Sequence, residues 1–399
     1  MKSELLAPAG NLEKLKFAVE YGADAVYFGA EFGSLRSFAG NFSFDDAKAG
    51  LDYLHSRGKK GYVTLNIYPF SDEYGKIVET AERLDEMGAD AFIVSDIGVI
   101  EELSKLGLKA AIHISTQANT TSWQAVRAYG KMGAARVNLA RELSLEQIKE
   151  IAANVGGEIE TEVFIHGSVC FSYSGRCAIS DYLTGFGANR GECKHPCRWK
   201  YHLVEEKRPG EYMPVFEDDR GLYFFNSKEL ALFEYVEALQ QAGVRSFKIE
   251  GRMKSIHYIA SIVSFYRQVI DGKKFDWQEG LELLNRVPNR GYSRGFMKGK
   301  IAEEDYRRAA NESAGMSRFV GNVLEEKAGG KSVVELRNTI NAGERLEVLR
   351  PDGTIGEIVM SEPLVTREGK SAEFANNSQF IVLEEKLPAY SILRKVQKD

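Results

Sequence analysis

The stretch Tyr21-Gly-Ala-Asp-Ala-Val-Tyr-Phe-Gly29 recurs further along the chain as Met87-Gly-Ala-Asp-Ala-Phe-Ile-Val-Ser95. In both copies a helical stretch ends at a glycine, and a short apolar run follows at once. Glycine is the usual residue at the left-handed position that closes a helix. A continuous apolar run of this length is typical of a parallel strand that is buried on both faces. Each copy therefore predicts a helix that leads directly into a buried strand.

The same pattern returns twice more, and other strand candidates lie between the copies. The further copies are Met132–Leu139 and Ala242–Glu250, and the other candidates are Glu4–Ala7, Gly61–Asn66, Leu108–Ile114 and Glu160–Ile165. Amphipathic helical windows such as Asn11–Tyr21 and Glu73–Met87 separate them. Eight alternating β-α units within about 270 residues predict an α/β fold of the TIM-type (β/α)8 barrel class, with a doubly wound sheet as the alternative.

Beyond Met316 the sequence changes to short β-type runs that are separated by Gly, Asp and Asn turns. The runs are Phe319–Leu324, Ser332–Leu336, Arg345–Leu349, Ile355–Val359 and Phe380–Leu383. Such spacing predicts a small antiparallel β-barrel. We therefore place the TIM-type barrel in residues 1–275, a connector in residues 276–315 and the small β-barrel domain in residues 316–399.

Composition and charge limit the class of protein. The chain has 399 residues and a formal net charge of −5, which argues against attachment to nucleic acid over its whole surface. A local basic patch lies between Phe186 and Lys200, where four cations accompany Glu192 as the one acid. This patch is either a solvated loop or a docking place for an anion such as RNA phosphate. With no apolar signal core and no membrane-length apolar stretch, we expect a cytoplasmic protein with no membrane partner.

All four cysteines fall in one segment that follows the seventh predicted strand directly. They are Cys170, Cys177, Cys193 and Cys197, separated by six, fifteen and three residues. Only the last pair has the tight spacing of a zinc knuckle. Four thiolates in one place are a ligand set for an iron–sulfur cluster or for zinc, and two disulfides are the third alternative. We predict a metal centre in residues 166–200, where His166 and His195 are either alternative ligands or structural neighbours.

Chemistry in a TIM-type barrel lies at the carboxyl ends of the strands, and polar residues follow the predicted strands here. We predict His166, Glu250 and Arg252 as catalytic residues. We predict Arg36, Asn41, Asn66, Gln117 and Arg198 as substrate-binding residues. Arginines at such positions bind carboxylates or phosphates bidentately, with an exterior salt bridge as the alternative for each. Likewise, Glu250 is either a general base or the ion-pair partner of Arg252.

Three motifs carry a resemblance to a known family. The first runs from His166 to Cys177 and continues through Asn189-Arg-Gly-Glu-Cys193 to Trp199, the second covers Phe225–Leu230 and Phe247–Ser255, and the third is Leu5-Leu-Ala-Pro-Ala-Gly10. Together they resemble the collagenase-like U32 peptidase family. The resemblance extends over nearly the whole chain, including the C-terminal β-type region.

The resemblance implies a chemistry that the family name does not suggest. The family includes members that hydroxylate nucleic acids or quinone precursors without molecular oxygen, and these carry a [4Fe–4S] cluster on four cysteines. The four cysteines of this chain match those ligand positions, and Leu35–Phe42, with Arg36 and Asn41, is similar to a segment near the substrate pocket. The most similar branch implies hydroxylation of the wobble uridine of tRNA to 5-hydroxyuridine, with prephenate as hydroxyl donor. Prephenate is a dicarboxylate, which motivates the choice of Arg36 and Arg252 as its ligands.

Other functions stay open on the sequence. Sibling branches imply hydroxylation of 23S ribosomal RNA or of a quinone precursor. The family's historical name implies a peptidase for collagen-like or other peptides, although four thiolates on zinc would leave no coordination position for a hydrolytic water. A non-catalytic RNA-binding module with a structural zinc ion is the remaining alternative. The sequence does not determine the oligomeric state.

Overall fold

The computed structural model describes residues 3–35, 41–170, 172–177, 179–196, 203–204, 212–213, 216–218, 221–223, 226–299, 306–307, 315–327 and 330–396. The chain divides into two compact units. The first is built on Met1–Val19, Ala23–Lys254 and Arg290–Ser313, and the second on Glu20–Gly22, Ser255–Asn289 and Ala314–Asp399. The first unit contains a barrel, and the second contains an antiparallel sheet.

In the described part of the first unit, eight parallel strands close into a barrel. They are β1 (Glu4–Pro8), β2 (Ala25–Gly29), β3 (Lys60–Leu65), β4 (Ala91–Val94), β5 (Ala111–Ile114), β6 (Ala134–Asn138), β7 (Glu160–Gly167) and β14 (Ser246–Ile249). Each strand pairs with the next in chain order, and β14 pairs with both β7 and β1, which closes the ring. The predicted TIM-type barrel is confirmed, and the doubly wound sheet is wrong.

Helices alternate with these strands. They are α1 (Leu12–Glu20), α2 (Phe44–Ser56), α3 (Tyr74–Glu86), α4 (Ile97–Lys105), α5 (Trp123–Lys131), α6 (Leu145–Val155), α7 (Ile179–Thr184) and α8 (Val236–Gln241). Local sequence sets their ends: Ser144 and Gln147 form a capping box at the start of α6. Gly88 and Gly133 follow α3 and α5 at φ values of 95° and 97°. These are the glycines of the sequence repeat, so its role in ending helices is confirmed.

The insertion after β7 adds short strands to the first unit. They are β8 (Leu203–Val204), β9 (Tyr212–Met213), β10 (Phe216–Asp218), β11 (Gly221–Tyr223), β12 (Asn226–Ser227) and β13 (Glu229–Ala231), with β15 (Tyr292–Ser293) and β16 (Tyr306–Arg307) from later in the chain. The strand β13 pairs antiparallel with β7 and parallel with β15. This pairing joins the segment around β15 to the barrel sheet.

The second unit combines two helices with an antiparallel sheet. The helices are α9 (Ile256–Ile270) and α10 (Trp277–Leu284). The strands are β17 (Ser317–Lys327), β18 (Lys331–Leu336), β19 (Ile340–Asn341), β20 (Arg345–Leu349), β21 (Ile355–Val359), β22 (Leu364–Thr366), β23 (Ser371–Ala372), β24 (Phe374–Ala375), β25 (Phe380–Leu383) and β26 (Ile392–Val396). Eight of the described strands form one sheet in the order β21-β20-β26-β17-β18-β25-β22-β23. The predicted antiparallel β module is thus present, with β26 as a strand that the sequence did not indicate.

The division into units differs from the sequence-based boundaries at residues 275 and 315. Helix α9 groups with the second unit because its side chains pack on the C-terminal strands. The His257 ring stacks on Phe319 with centroids 5.5 Å apart, and Arg394 donates a hydrogen bond to Ser261 at 3.0 Å. None of the helices in the described ranges is long and apolar enough to cross a bilayer.

Candidate functional site at the barrel mouth

Arg252, which follows β14, is the centre of a buried polar cluster at the carboxyl end of the barrel. The residue is 4% exposed. Its Nη1 donates to Ser34 Oγ at 2.8 Å and to Thr64 Oγ1 at 3.2 Å, and its Nη2 donates to the carbonyl oxygen of Leu35. The two hydroxyl oxygens lie 2.6 Å apart and share a hydrogen bond. The guanidinium group therefore fastens the backbone after β2 to the end of β3.

Gly29, the last residue of β2, provides the space for this cluster. A β-carbon at this position would lie 2.2 Å from Arg252 Nη1, 2.4 Å from Ser34 Oγ and 2.6 Å from Asn41 Oδ1. These distances are far inside van der Waals contact, so a residue without a side chain is needed here. Two residues predicted from the sequence, Asn41 and Arg252, are thus brought to one point.

Asn66 connects the loops that follow four neighbouring strands. Its Oδ1 accepts a hydrogen bond from the Leu35 N–H at 3.1 Å, and its Nδ2 donates to Ser115 Oγ at 3.4 Å. The Ser95 hydroxyl donates to the Asn66 carbonyl oxygen at 3.2 Å. The side chain predicted to bind substrate therefore also holds the mouth of the barrel in shape.

His166 and Glu250 lie next to each other at the ends of β7 and β14. The Glu250 N–H donates to the His166 carbonyl oxygen at 2.9 Å, and the Tyr27 hydroxyl donates to Glu250 Oε2 at 3.3 Å. Burial, and to a smaller degree the charge of Lys254, lowers the pKa of His166 to about 3. The imidazole is therefore neutral at physiological pH and acts as a hydrogen-bonding group rather than as a cation.

The cysteine segment, residues 168–196, is tied to the loops after β3 and β5. Arg176 donates from Nε to the Gln117 carbonyl oxygen and from Nη2 to the Tyr68 hydroxyl, both at 3.3 Å. The Tyr68 hydroxyl donates to the same Gln117 carbonyl at 2.6 Å, and the Tyr68 N–H donates to the Asn189 carbonyl at 3.3 Å. Gln117, predicted to bind substrate, thus holds the cysteine segment through its backbone.

Two carboxylates anchor the same segment further. Glu142, after β6, accepts hydrogen bonds at 2.6 Å from both the N–H and the hydroxyl of Ser174. Glu73, at the start of α3, forms a bidentate pair with Arg190 at 2.7 and 3.0 Å. Hydrogen bonds from Arg190 hold the pKa of Glu73 below its usual range, so this pair stays ionised near neutral pH. These anchors place the cysteine segment over the carboxyl ends of the strands.

The described cysteines are accessible and lie within this segment. Cys170 is exposed, Cys177 and Cys193 are half-buried, and none of these three forms a disulfide. The Cys177 N–H donates to Asn189 Oδ1 at 3.3 Å. The Cys193 Sγ lies 3.9 Å from His195 Nδ1. Metal ligation requires thiols that a metal ion can reach, and these three are at least partly accessible.

The structure describes three of the four cysteines that are predicted to bind the metal. In the ranges given above, no three His, Cys, Asp or Glu side chains converge closely enough to hold a metal ion. Cys197 lies outside the described residues, as do Arg36 and Arg198. Thiolates are suitable donors for iron or zinc, but the described positions of the other three cysteines do not form a ligand set by themselves. The metal centre therefore stays a prediction.

Five charged residues, which we call the floor network, lie inside the amino-terminal half of the barrel. Arg136 contacts Glu4 and Glu160 at 2.6 Å and Glu162 at 3.4 Å, and Lys248 contacts Glu162 at 3.0 Å. Burial on its own would raise the pKa of Glu162, but the charges of Lys248 and Arg136 outweigh it and lower the pKa to about 2. These charges are therefore fixed at neutral pH.

Glu229, on β13, is a further buried carboxylate near the mouth. It is 1% exposed, and its Oε1 lies 2.9 Å from Lys254 Nζ and 3.8 Å from Arg290 Nε. Sequence reasoning missed this cluster and the floor network. Charged residues on otherwise apolar strands, Glu160 and Glu162 in β7 and Lys248 in β14, are the sequence signal for the floor network.

A closed parallel barrel whose seventh strand leads into a thiol-bearing segment over its mouth defines a TIM-type barrel protein with a candidate metal or redox site. The sequence model of peptidase family U32 matches residues 10–307, and that of the U32 C-terminal domain matches residues 316–394. The chain therefore belongs to the U32 peptidase family.

The relatives of this chain include tRNA hydroxylation proteins and a collagenase. The chain is 37% identical to the tRNA hydroxylation protein P of Escherichia coli K12 over 402 residues, or 89% of this chain and 87% of the relative. It is 37% identical to the tRNA hydroxylation protein P1 of Bacillus subtilis 168 over 358 residues, or 88% and 84%. It is 28% identical to the collagenase of Porphyromonas gingivalis W83 over 397 residues, or 95% and 93%. The two hydroxylation proteins are thus more similar to this chain than the collagenase is.

Proposed function

We propose that this chain hydroxylates RNA, and specifically that it converts the wobble uridine of tRNA to 5-hydroxyuridine at the mouth of its barrel. The observation that carries the proposal is the 37% identity to two tRNA hydroxylation proteins over nearly nine-tenths of the chain. The mouth supports it, since buried polar groups, accessible thiols and cations lie together at the end where barrel enzymes carry out their chemistry.

The proposed reaction needs a hydroxyl donor that is also an oxidant. Replacing the C5 hydrogen of uridine by a hydroxyl group removes two electrons from the base. If the donor gives up its hydroxyl group and takes up the two electrons with the displaced hydrogen, base–H and donor–OH become base–OH and donor–H. Molecular oxygen does not enter this balance. We assign the donor role to prephenate, a small dicarboxylate with a hydroxyl group.

We assign the cysteines to a [4Fe–4S] cluster, with zinc as the alternative. The ligands are Cys170, Cys177, Cys193 and Cys197. When bound, such a cluster would supply electron exchange beside the substrate. Iron and acid-labile sulfide near four each per chain, in protein purified without air, support this assignment. One zinc ion per chain and no sulfide would replace it with a structural zinc site.

Three side chains at the mouth have proposed roles that agree with their surroundings. The buried guanidinium of Arg252 attracts a donor carboxylate to the point where Asn41 converges, with Arg36 as a second cation. Glu250, whose Oε2 accepts from Tyr27, takes the proton that leaves the base and passes it to the donor, which also receives the two electrons. The neutral imidazole of His166 orients a substrate oxygen by a hydrogen bond. We place Arg198 with Asn66 and Gln117 in the binding surface for the RNA.

Nucleoside mass spectrometry of tRNA tests the proposed function. A strain that lacks the gene should lose 5-hydroxyuridine, and the intact gene should restore it. Unchanged tRNA nucleosides in the deletion strain would contradict the tRNA proposal. A hydroxylated base that disappears from ribosomal RNA instead would move the function to the sibling reaction.

Peptide hydrolysis is the second candidate, because Cys193 Sγ and His195 Nδ1 lie 3.9 Å apart. A thiol beside an imidazole is the pairing that cysteine hydrolases use to activate a nucleophile. Gelatin cleavage by the purified protein that is lost in both Cys193→Ala and His195→Ala would support this candidate. Absence of cleavage by the wild-type protein would remove it.

A further inference from the structure

Exposed apolar side chains in the first unit are concentrated at the barrel mouth. Among its described residues, the large apolar side chains that are exposed at the mouth follow β3, β4, β7 and β14. They are Phe70, Ile97, Tyr173, Tyr182, Leu183, Phe186 and Met253. Among the described residues of this unit, Leu106 is the one exposed large apolar side chain away from the mouth, at the carboxyl end of α4. A one-sided distribution of this kind marks an interaction surface rather than the scattered exposure of an ordinary protein surface.

Aromatic rings dominate this surface, and we call Phe70, Tyr173, Tyr182 and Phe186 the aromatic rim. Tyr182 is 88% exposed and Phe70 is 63% exposed. Such exposure leaves at least one ring face of each open to a ligand. Three of the four rings belong to the cysteine segment, so the rim and the thiols are carried by the same part of the chain.

Two rings of the rim carry a cation on one face. The Arg190 guanidinium lies 4.2 Å from the centroid of Phe70, and the Lys194 ammonium lies 4.4 Å from that of Phe186. The bidentate pair with Glu73 fixes the guanidinium in place, and a hydrogen bond from the Lys194 backbone N–H to Ser180 Oγ at 3.2 Å positions the backbone that carries the second cation. The Arg190 guanidinium is therefore positioned beside Phe70 before any ligand binds.

Rings alternating with cations match the chemistry of unpaired nucleotides. Bases stack on aromatic rings, and cations beside those rings contact the phosphates. A base within a duplex has both faces covered by its neighbours, so it cannot use such a ring. We propose that the aromatic rim binds unpaired bases of the RNA substrate and delivers one of them to the cysteine-bearing mouth. This inference rests on the proposed function, and it specifies that a loop rather than a paired stem is recognised.

Binding of a fluorescently labelled RNA stem-loop by the full-length protein tests the rim. The wild-type protein should bind the stem-loop more tightly than a fully paired duplex of the same length. Tyr182→Ala should weaken stem-loop binding about tenfold, within the range that loss of one base–ring stack gives, and should leave duplex binding unchanged. Tyr182→Phe keeps the ring and should bind as the wild type does. Phe374→Ala, which removes an exposed ring from the second unit, should also have no effect.

The outcomes separate this inference from the proposed function. Wild-type protein that hydroxylates tRNA while Tyr182→Ala and Phe186→Ala both bind the stem-loop normally would overturn the rim and leave hydroxylation standing. Loss of stem-loop binding in both variants, with no hydroxylated nucleoside made by the wild type, would support the rim and contradict hydroxylation. Equal affinity of the wild-type protein for stem-loop and duplex would contradict the proposal that the aromatic rim binds unpaired bases. A protein would then be the expected partner of this surface.

Discussion

The floor network and the barrel mouth both place charged and polar side chains inside one barrel, but they leave those side chains in different states. In the floor network each charge has an opposite charge in contact, as Arg136 has with Glu4 and Glu162. At the mouth, Arg252 is held by hydroxyl groups and a carbonyl oxygen, and the cysteine segment carries accessible thiols and exposed rings. Residue type alone does not separate structure from chemistry here. Side chains that form buried ion pairs have a structural role, and accessible polar groups and rings at the mouth indicate a binding role.

The pKa values of the buried residues in the amino-terminal half of the barrel agree with a structural role. The lowered pKa of Glu162 and the raised pKa of Arg136, in which Glu4 and Glu162 outweigh the cost of burial, keep both groups charged at neutral pH. Burial, followed by the charge of Arg136, lowers the pKa of His113 well below its usual value. Near neutral pH, Glu162 and Arg136 therefore stay charged and His113 stays neutral.

The largest effect is expected at the mouth. Cys193→Ser should abolish formation of 5-hydroxyuridine, because the proposed cluster would lose a ligand, which should exceed the roughly 10- to 100-fold cost of losing a residue that only orients one. Mass spectrometry of tRNA from a complemented deletion strain measures this. Ser172→Ala, in the same segment, is the matched control and should retain activity. A fully active Cys193→Ser protein would break the distinction between mouth and floor.

The next largest effect is expected in the floor network. Glu162→Gln removes the carboxylate partner of the buried Lys248 and one of the carboxylate partners of Arg136, and should lower the free energy of unfolding by about 3–5 kcal/mol. Urea denaturation followed by circular dichroism measures it. Glu160→Gln removes another partner of Arg136, but its side chain is 40% exposed, so the cost should stay below about 1 kcal/mol. Equal losses in the two variants would show that burial does not govern the network.

Low pH should remove the contribution of Glu162 to the free energy of unfolding, which tests the ion pairing in the floor network separately. The folded pKa is about 2, against an ordinary value of 4.5, so the unfolded chain binds more protons in this interval. The stabilisation is therefore complete above pH 4.5 and is lost as the pH falls towards 2. Between pH 5 and pH 3, the difference in unfolding free energy between wild type and Glu162→Gln should shrink by roughly 1–2 kcal/mol. A difference that stays constant would contradict the ion pairing.

The smallest effect concerns the aromatic rim. Tyr182→Ala should change the free energy of unfolding by less than about 0.5 kcal/mol, because the side chain is 88% exposed. Thermal unfolding measures this, alongside the loss of RNA affinity. A large loss of stability would mean that the ring packs within the protein, and it would then belong with the floor rather than with the mouth.

The sequence predicted the barrel because its signals are local. Glycines such as Gly88 and Gly133 end helices through their own backbone preference, and the apolar runs that follow form buried strands. Local sequence does not show which charges of the floor network pair, since Arg136 and Glu4 are 132 residues apart in the chain. Their pairing depends on closure of the ring. The same reason hid Glu229 and its partner Arg290, which meet only when β15 joins β13.

The site was predicted unevenly for a related reason. Position after a strand correctly brought Asn41, Asn66 and Arg252 to the mouth, because carboxyl ends of parallel strands meet at one end. Position after a strand did not indicate that Asn66 and Gln117 hold loops together. Their hydrogen-bond partners lie in other loops, which the local sequence does not show. Strand β26 was missed because its buried cation, Arg394, interrupts the apolar pattern and is neutralised by Glu347 from a different strand.

Transfer of the labelled hydroxyl oxygen tests the central claim most directly. Purified protein, unmodified tRNA and prephenate with oxygen-18 in its hydroxyl group are incubated without air, and the nucleosides are analysed by mass spectrometry. The wild-type protein should form 5-hydroxyuridine that carries the label, and Cys193→Ser should form none. Product with unlabelled oxygen, or equal product from the variant, would contradict it.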